Sequence, residues 1–279
     1  MSGASDGFPG ANATSLSVAA YAIVGAPLDA TTSQYPGTRF GPDRIRAEGR
    51  GFEDYDHLTE RRFTDLDVLD RGNVRPWADV PAYLEFLAGE VRDVRAAGAV
   101  PVLLGGEHTV TVAGTRAVEP DHVVCIDAHL DLRASFDGTA WSHATTNYHV
   151  SEHVDEVTIL GARAGAAESW DRLADHPAIT AIPPEDVSQW VADCRSRLRG
   201  NDLYLSVDID GIDPAYAPAT GTREPFGVAP RAVRALIRQL APLTIGFDIV
   251  EVNDRDDGQT ATLAAKLVRE FVHRHADTS

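Results

Sequence analysis

Lysine is almost absent from this chain: Lys266 is the one lysine among 25 basic residues, and the rest are arginine. Cysteine is nearly as scarce, with Cys125 and Cys194 alone in 279 residues. Two cysteines outside any metal-binding spacing exclude a disulfide framework and a thiolate-rich zinc site, and both read as small buried hydrophobes. No apolar run approaches the ~18 residues needed to cross a bilayer, so a membrane span is not expected. Positive charge is short overall: 42 acids against 25 bases leave −17. That balance argues against nucleic acid and anionic membranes as partners. Aspartate outnumbers glutamate, 28 to 14. An acidic, Asp-heavy, Lys-poor surface suits concentrated salt, so a halophilic cytoplasmic protein is expected. Residues 1–16 are rich in Gly, Ser and Ala and lack Lys and Arg, unlike a signal peptide. They read as a flexible tail ahead of a single catalytic domain over 17–279.

What remains is ordinary for a packed domain, with 43% hydrophobic residues. Short apolar runs predict strands at 20–25, 100–104, 122–126, 156–160, 178–181, 202–207 and 243–247. Helices fit between them. The clearest is expected over 76–97, with Pro76 in its first turn and Gly98 ending it. There Val80, Leu84, Leu87, Val91 and Val94 form one apolar stripe. Segments 231–240 and 260–273 repeat the pattern. Strand alternating with helix predicts an α/β fold, a mostly parallel sheet with helices on both faces. Ligand sites in such sheets lie at the carboxyl ends of the strands.

Three of those ends carry unusual polar clusters: Gly105-Gly106-Glu107-His108, Asp127-Ala128-His129-Leu130-Asp131, and Ser206-Val207-Asp208-Ile209-Asp210-Gly211-Ile212-Asp213-Pro214. In an extended segment residues 127, 129 and 131 point the same way. Two carboxylates and an imidazole together after a buried strand would each cost several kcal/mol if unpaired, an order-of-magnitude figure. Divalent cations remove that cost. Hard oxygen donors mixed with imidazole suit Mn²⁺ best, with Fe²⁺, Co²⁺ or Zn²⁺ possible. His108, Asp127, His129, Asp131, Asp208 and Asp210 exceed the needs of one four-coordinate ion. Two ions roughly 3.5–4 Å apart would use them all and acidify a shared water. The residues point to a two-metal hydrolase.

In order and spacing these three clusters resemble the signatures of the ureohydrolase family, which includes arginases, agmatinases and formimidoylglutamases. Ala219-Thr220-Gly221-Thr222 and Glu251-Val252-Asn253 fit the same family, and the likeness runs from about residue 22 to 272. The resemblance implies a three-layer arginase-like fold and two Mn²⁺ per subunit. His108 and Asp131 would hold one ion, His129 and Asp210 the other, and Asp127 and Asp208 both. A hydroxide shared by the ions would attack a guanidinium carbon, with Asp131 hydrogen-bonded to it. Glu251 would pair with the guanidinium, and His143 would shuttle protons. A homotrimer or homohexamer is implied as well.

The segment from Pro27 to Pro42, together with Arg133, Ser142-His143-Ala144 and Gly161-x-Arg163, resembles the agmatinase branch, especially its archaeal members. Agmatine hydrolysis to putrescine and urea is the first expectation. Arg133 stands where arginases carry an asparagine that helps hold the amino-acid end of arginine. It could instead hold a carboxylate through a bidentate fork. That leaves a guanidino-acid hydrolase or formimidoylglutamase open, and a catalytically silent metal-binding paralogue as a different class. Arg223, Phe226 and Asp254 depart from the usual agmatinase loops. Asp213 is expected to close a turn, and Glu107 to support His108.

Overall fold

The computed structural model describes residues 7–77 and 79–277. Among the described residues ten strands are formed: β1 Tyr21–Ala26, β2 Tyr55–Asp56, β3 Arg61–Arg62, β4 Val68–Asn73, β5 Val100–Gly105, β6 His122–Ile126, β7 Glu156–Leu160, β8 Ile179–Ile182, β9 Leu203–Asp208 and β10 Thr244–Val250. Among the same described residues eight α-helices accompany them: α1 Gly41–Glu48, α2 Val80–Ala96, α3 Val110–Val118, α4 Thr146–Val150, α5 Ala167–Asp175, α6 Val187–Arg197, α7 Pro230–Leu240 and α8 Gln259–Ala276. The short β2 and β3 pair antiparallel as a separate hairpin. The other eight strands form one parallel sheet in the order β4-β1-β5-β10-β9-β6-β7-β8.

Side-chain alternation sends each central strand into two cores. Val102, Leu104, Val124, Ile126, Leu205 and Val207 face the side covered by Ile45 of α1 and by α6, α7 and α8. Leu103, Val123 and Tyr204 face the side covered by α2 and α3. Strands buried on both faces read as continuous apolar runs, which is why they were legible.

Three expectations need correction. Helix α2 begins at Val80, not Pro76: Asp79 caps it by accepting the N–H of Ala82, and the first-turn proline is Pro81. Strand β4 was not expected; it lies at the sheet edge, and its sequence Val-Leu-Asp-Arg-Gly-Asn lacks an apolar run. The tail expected through residue 16 is packed from Gly7 onward, and residues 1–6 lie outside the described residues. Phe8 is 2% exposed and its ring centroid lies 5.7 Å from that of Phe63. Its N–H donates to Asp70 Oδ2 at 2.6 Å, and Asn12 and Ala13 donate to the Val68 carbonyl. One aromatic side chain with a waiting pocket outweighs the Gly/Ser/Ala composition around it.

Candidate metal centre

The four strands in the middle of the sheet, β5, β10, β9 and β6, end side by side, and each delivers acids or imidazoles to the same spot. Beyond β5 the chain passes against residues 27–28. A Cβ on Gly106 would lie 2.0 Å from the Leu28 carbonyl oxygen, so glycine is required there. Bonds from Gly106 N–H to Ala26 O and from Glu107 N–H to Leu28 O hold the turn that presents His108. At the end of β9, Asp208 Oδ1 accepts the N–H of Asp210, 2.9 Å, and a short turn over Ile209–Gly211 swings Asp210 back inward. After β6, Asp127 Oδ1 accepts the N–H of His129 at 2.6 Å.

Asp131 and Glu251 both adopt left-handed backbone, φ 49° and 61°. The simple alternation expected over 127, 129 and 131 therefore stops at Asp131. Positive φ in a non-glycine residue is strained and concentrates at functional sites.

His108 Nδ1 lies 3.2 Å from Asp127 Oδ2, 3.0 Å from Asp131 Oδ2 and 3.4 Å from Asp208 Oδ2. His129 Nδ1 lies 3.0 Å from Asp210 Oδ2 and 3.7 Å from Asp127 Oδ1. The six donors thus fall into two groups that share Asp127. Asp127, Asp208 and Asp210 are buried, and the two imidazoles are the ion-pair partners of the cluster. Asp127 Oδ2 accepts no hydrogen bond although it is fully enclosed. Too many carboxylates share too few protons. Burial and the neighbouring Asp127 raise the Asp131 carboxyl to about 6. Burial, Asp210 and Asp127 push Asp208 well up. Burial disfavours a charged His129, yet Asp210 and Asp127 outweigh it and lift the imidazole to about 12. Such a donor set fits divalent cations, which would take the place of those protons.

Cys125 does more than fill space. Its Sγ lies 3.5 Å from His108 Nε2, on the ring edge turned away from the aspartates. Burial pushes the thiol up to about 12, so it remains protonated. On the same edge, Ser206 Oγ lies 3.4 Å from Nε2 and donates to Asp248 Oδ1 at 2.6 Å, while Tyr204 donates to Asp248 Oδ2. Sequence reading missed this relay. Its signal was a lone aspartate inside the apolar run of β10.

Glu107 does not support the His108 side chain. It accepts the N–H and hydroxyl of Thr31, both at 2.5 Å. The residue that holds His108 from behind is Glu251, whose Oε1 accepts the His108 N–H at 2.8 Å. Asp213 closes its turn as expected, accepting from Ala215 and Gly227.

A cleft opens above the cluster. Asp131, His143, Asp208, Asp210, Glu224 and Glu251 line it, with Arg133 and Phe136 near the mouth. Burial pushes His143 down to about 4, aided by a cationic His129, so its imidazole is neutral. Arg133 stacks over Phe136, 4.9 Å from the ring centroid, and lies 3.7 Å from Glu168. Arg163, noted in the sequence only for its resemblance, uses all five N–H donors on backbone carbonyls: Gly161, Asp210, Gly211, Glu224 and Pro225. It ties the Asp210 turn to the loop that carries Glu224.

These features define a hydrolase of the arginase-like α/β class. The model of the Arginase family matches residues 19–273, and the chain belongs to that family. It is 34% identical to an agmatinase of Pyrococcus horikoshii, with 89% of each chain covered. It is 35% identical to a guanidinobutyrase of Pseudomonas aeruginosa, covering 90% of this chain and 85% of that one. Among solved structures, the agmatine ureohydrolase of Thermoplasma volcanium matches with a TM-score of 0.92 and 32% identity, covering 99% of this chain and 96% of that one. No helix among the described residues is long and apolar enough to cross a membrane.

Proposed function

We propose that this protein hydrolyses the guanidino group of a small cationic substrate, agmatine first, with two Mn²⁺ held by His108, Asp127, His129, Asp131, Asp208 and Asp210. The observation that carries this reading is the pair of donor groups sharing Asp127. Manganese, when bound, supplies a water acidified enough to react near neutral pH. The chain's own residues do the rest. Glu251, at the cleft floor, accepts N–H bonds from the planar guanidinium and orients its carbon. Asp131 accepts a hydrogen bond from the attacking water. His143 carries a proton from the site to the departing amine. The carbon–nitrogen bond to the alkyl chain breaks, giving urea and an amine.

The cleft's carboxylates suit a cation, and intact donor groups argue against a silent paralogue. The substrate tail has two readings. Glu224 at the rim suits the ammonium of agmatine. Arg133 also lines the cleft, and it keeps a guanidino acid or formimidoylglutamate as the second reading. Product assays with agmatine, arginine, 4-guanidinobutyrate and formimidoylglutamate, with and without Mn²⁺ in molar KCl, separate them. Equal turnover without metal would sink the mechanism. We further infer a cytoplasmic, salt-adapted homotrimer or homohexamer, to be checked by sedimentation and by unfolding at low and high KCl.

A further inference from the structure

His143 is held by a hydroxyl. Thr31 Oγ1 lies 3.3 Å from His143 Nδ1 and also accepts the His143 backbone N–H, 3.2 Å. Thr31 in turn faces Glu107, a carboxylate with no exposure to solvent. The Thr31 hydroxyl lies 2.5 Å from Glu107 Oε2, and the Thr31 N–H lies 2.5 Å from Oε1. A hydroxyl has one proton and two lone pairs. Bonds to a carboxylate are the stronger and shorter ones, so the proton goes to Glu107. One lone pair takes the His143 backbone N–H. The second is left for the Nδ1–H of the ring. Ser142 Oγ, 3.4 Å from the same nitrogen, receives the Ala144 N–H. On the other edge, Nε2 meets the Ser33 hydroxyl at 3.3 Å, and Ser33 lines the cleft.

We propose that Thr31, backed by Glu107, is a positioning residue that fixes His143 in the Nδ1–H tautomer and leaves the Nε2 lone pair facing the cleft. Proton traffic then passes through Nε2 alone. The inference rests on the reading of His143 as the proton carrier. A ring free to choose its tautomer or to turn would spend part of its time with the wrong nitrogen presented. Phe136, whose ring meets His143 edge-on at 5.7 Å, limits the turn, and Thr31 sets the tautomer.

The test is Thr31→Val, which keeps the shape and removes the hydroxyl, beside Thr31→Ser, which restores it. Thr31→Val should lower kcat roughly tenfold, a fraction of a full acid–base contribution, with KM and Mn²⁺ content unchanged. Thr31→Ser should return kcat to within about twofold of the parent on the same reasoning. Loss of Mn²⁺ in Thr31→Val, or failure of serine to rescue, would show a merely structural role and overturn the proposal. His143→Asn separates the two levels. If His143→Asn is crippled while Thr31→Val keeps full kcat, the positioning role falls and the proton-carrier reading stands. If His143→Asn keeps full activity, the carrier reading falls and takes this one with it. Long-range ¹H–¹⁵N spectra of the parent enzyme loaded with diamagnetic Zn²⁺ give an independent answer. The resonance absent from His143→Asn should report a proton on Nδ1, and a proton on Nε2 would overturn the proposal.

Discussion

His108 and His129 both turn Nδ1 toward Asp127, 3.2 Å from one of its oxygens and 3.7 Å from the other. One carboxylate thus stands between two imidazoles from different strand ends. Asp127→Asn removes half of that charge-bearing pair of oxygens and adds an N–H donor to a place that needs acceptors. Metal content measured by plasma mass spectrometry should fall below two Mn²⁺ per subunit, and activity by at least about 100-fold. Full activity in a metal-free preparation would refute the two-metal reading.

Glu251 serves the backbone of His108 and the cleft at once. Gln at this position still accepts the His108 N–H through its oxygen but carries no charge. Glu251→Gln should retain the metals and the fold while kcat/KM for guanidino substrates drops roughly 100-fold or more, comparable with the loss of one charge-stabilising group. An unchanged kcat/KM would remove Glu251 from substrate binding.

Arg133→Ala separates the two tails. If Arg133 reads a carboxylate, KM for 4-guanidinobutyrate should rise about tenfold or more, the scale of one charge-assisted bond, and agmatine turnover should be spared. A parallel loss with both substrates would place Arg133 in holding Glu168 and Phe136.

Arg163→Lys keeps the positive charge but cannot span five carbonyls. Several of them lose their partner, and stability should fall by about 2 kcal/mol. The loop bearing Glu224 and Pro225 should become the first site of limited proteolysis. A variant with parental Tm and unchanged cleavage would show that the Asp210 turn and this loop are held by other contacts.

Glu270 gives the fold an acid-side limit. Its side chain is 2% exposed and meets Arg238, Arg234 and Arg274. Burial alone would raise its carboxyl, but Arg238 and Arg234 hold it below the usual range. The folded state therefore binds this proton less readily than the unfolded chain. The stabilisation is complete above the unfolded value of about 4.3 and is lost as pH falls through the folded one. Glu270→Gln should cost about 3 kcal/mol at neutral pH, and its Tm should depend less on pH than the parent's between about 5 and 3. Parallel curves would show that another group sets the limit.

The clustering of these six acids and imidazoles was legible because each stands at the end of an apolar strand among residues that packing cannot explain. Strands β6 and β7 lie where their runs end, since buried strands advertise both boundaries. What the linear pattern does not carry is strand order. Nothing in it places β10 between β5 and β9, and so nothing puts Asp248 behind His108. Thr31, Ser206 and Arg163 are small or surface-type residues whose roles exist only through partners 76, 42 and up to 62 positions away. Phe8 was hidden by the flexible-looking residues around it.

Because these six acids and imidazoles lie at the tips of strands drawn from positions near 105, 126 and 208, no short fragment of the chain contains the whole cluster. Local strand–helix contacts can form early, but the cluster is complete only when the middle of the sheet has closed, with β10 between β5 and β9. A chain whose sheet has not closed therefore presents these carboxylates and imidazoles singly, without the shared pocket. Under the two-metal proposal, capture of a second ion would report that the sheet has closed.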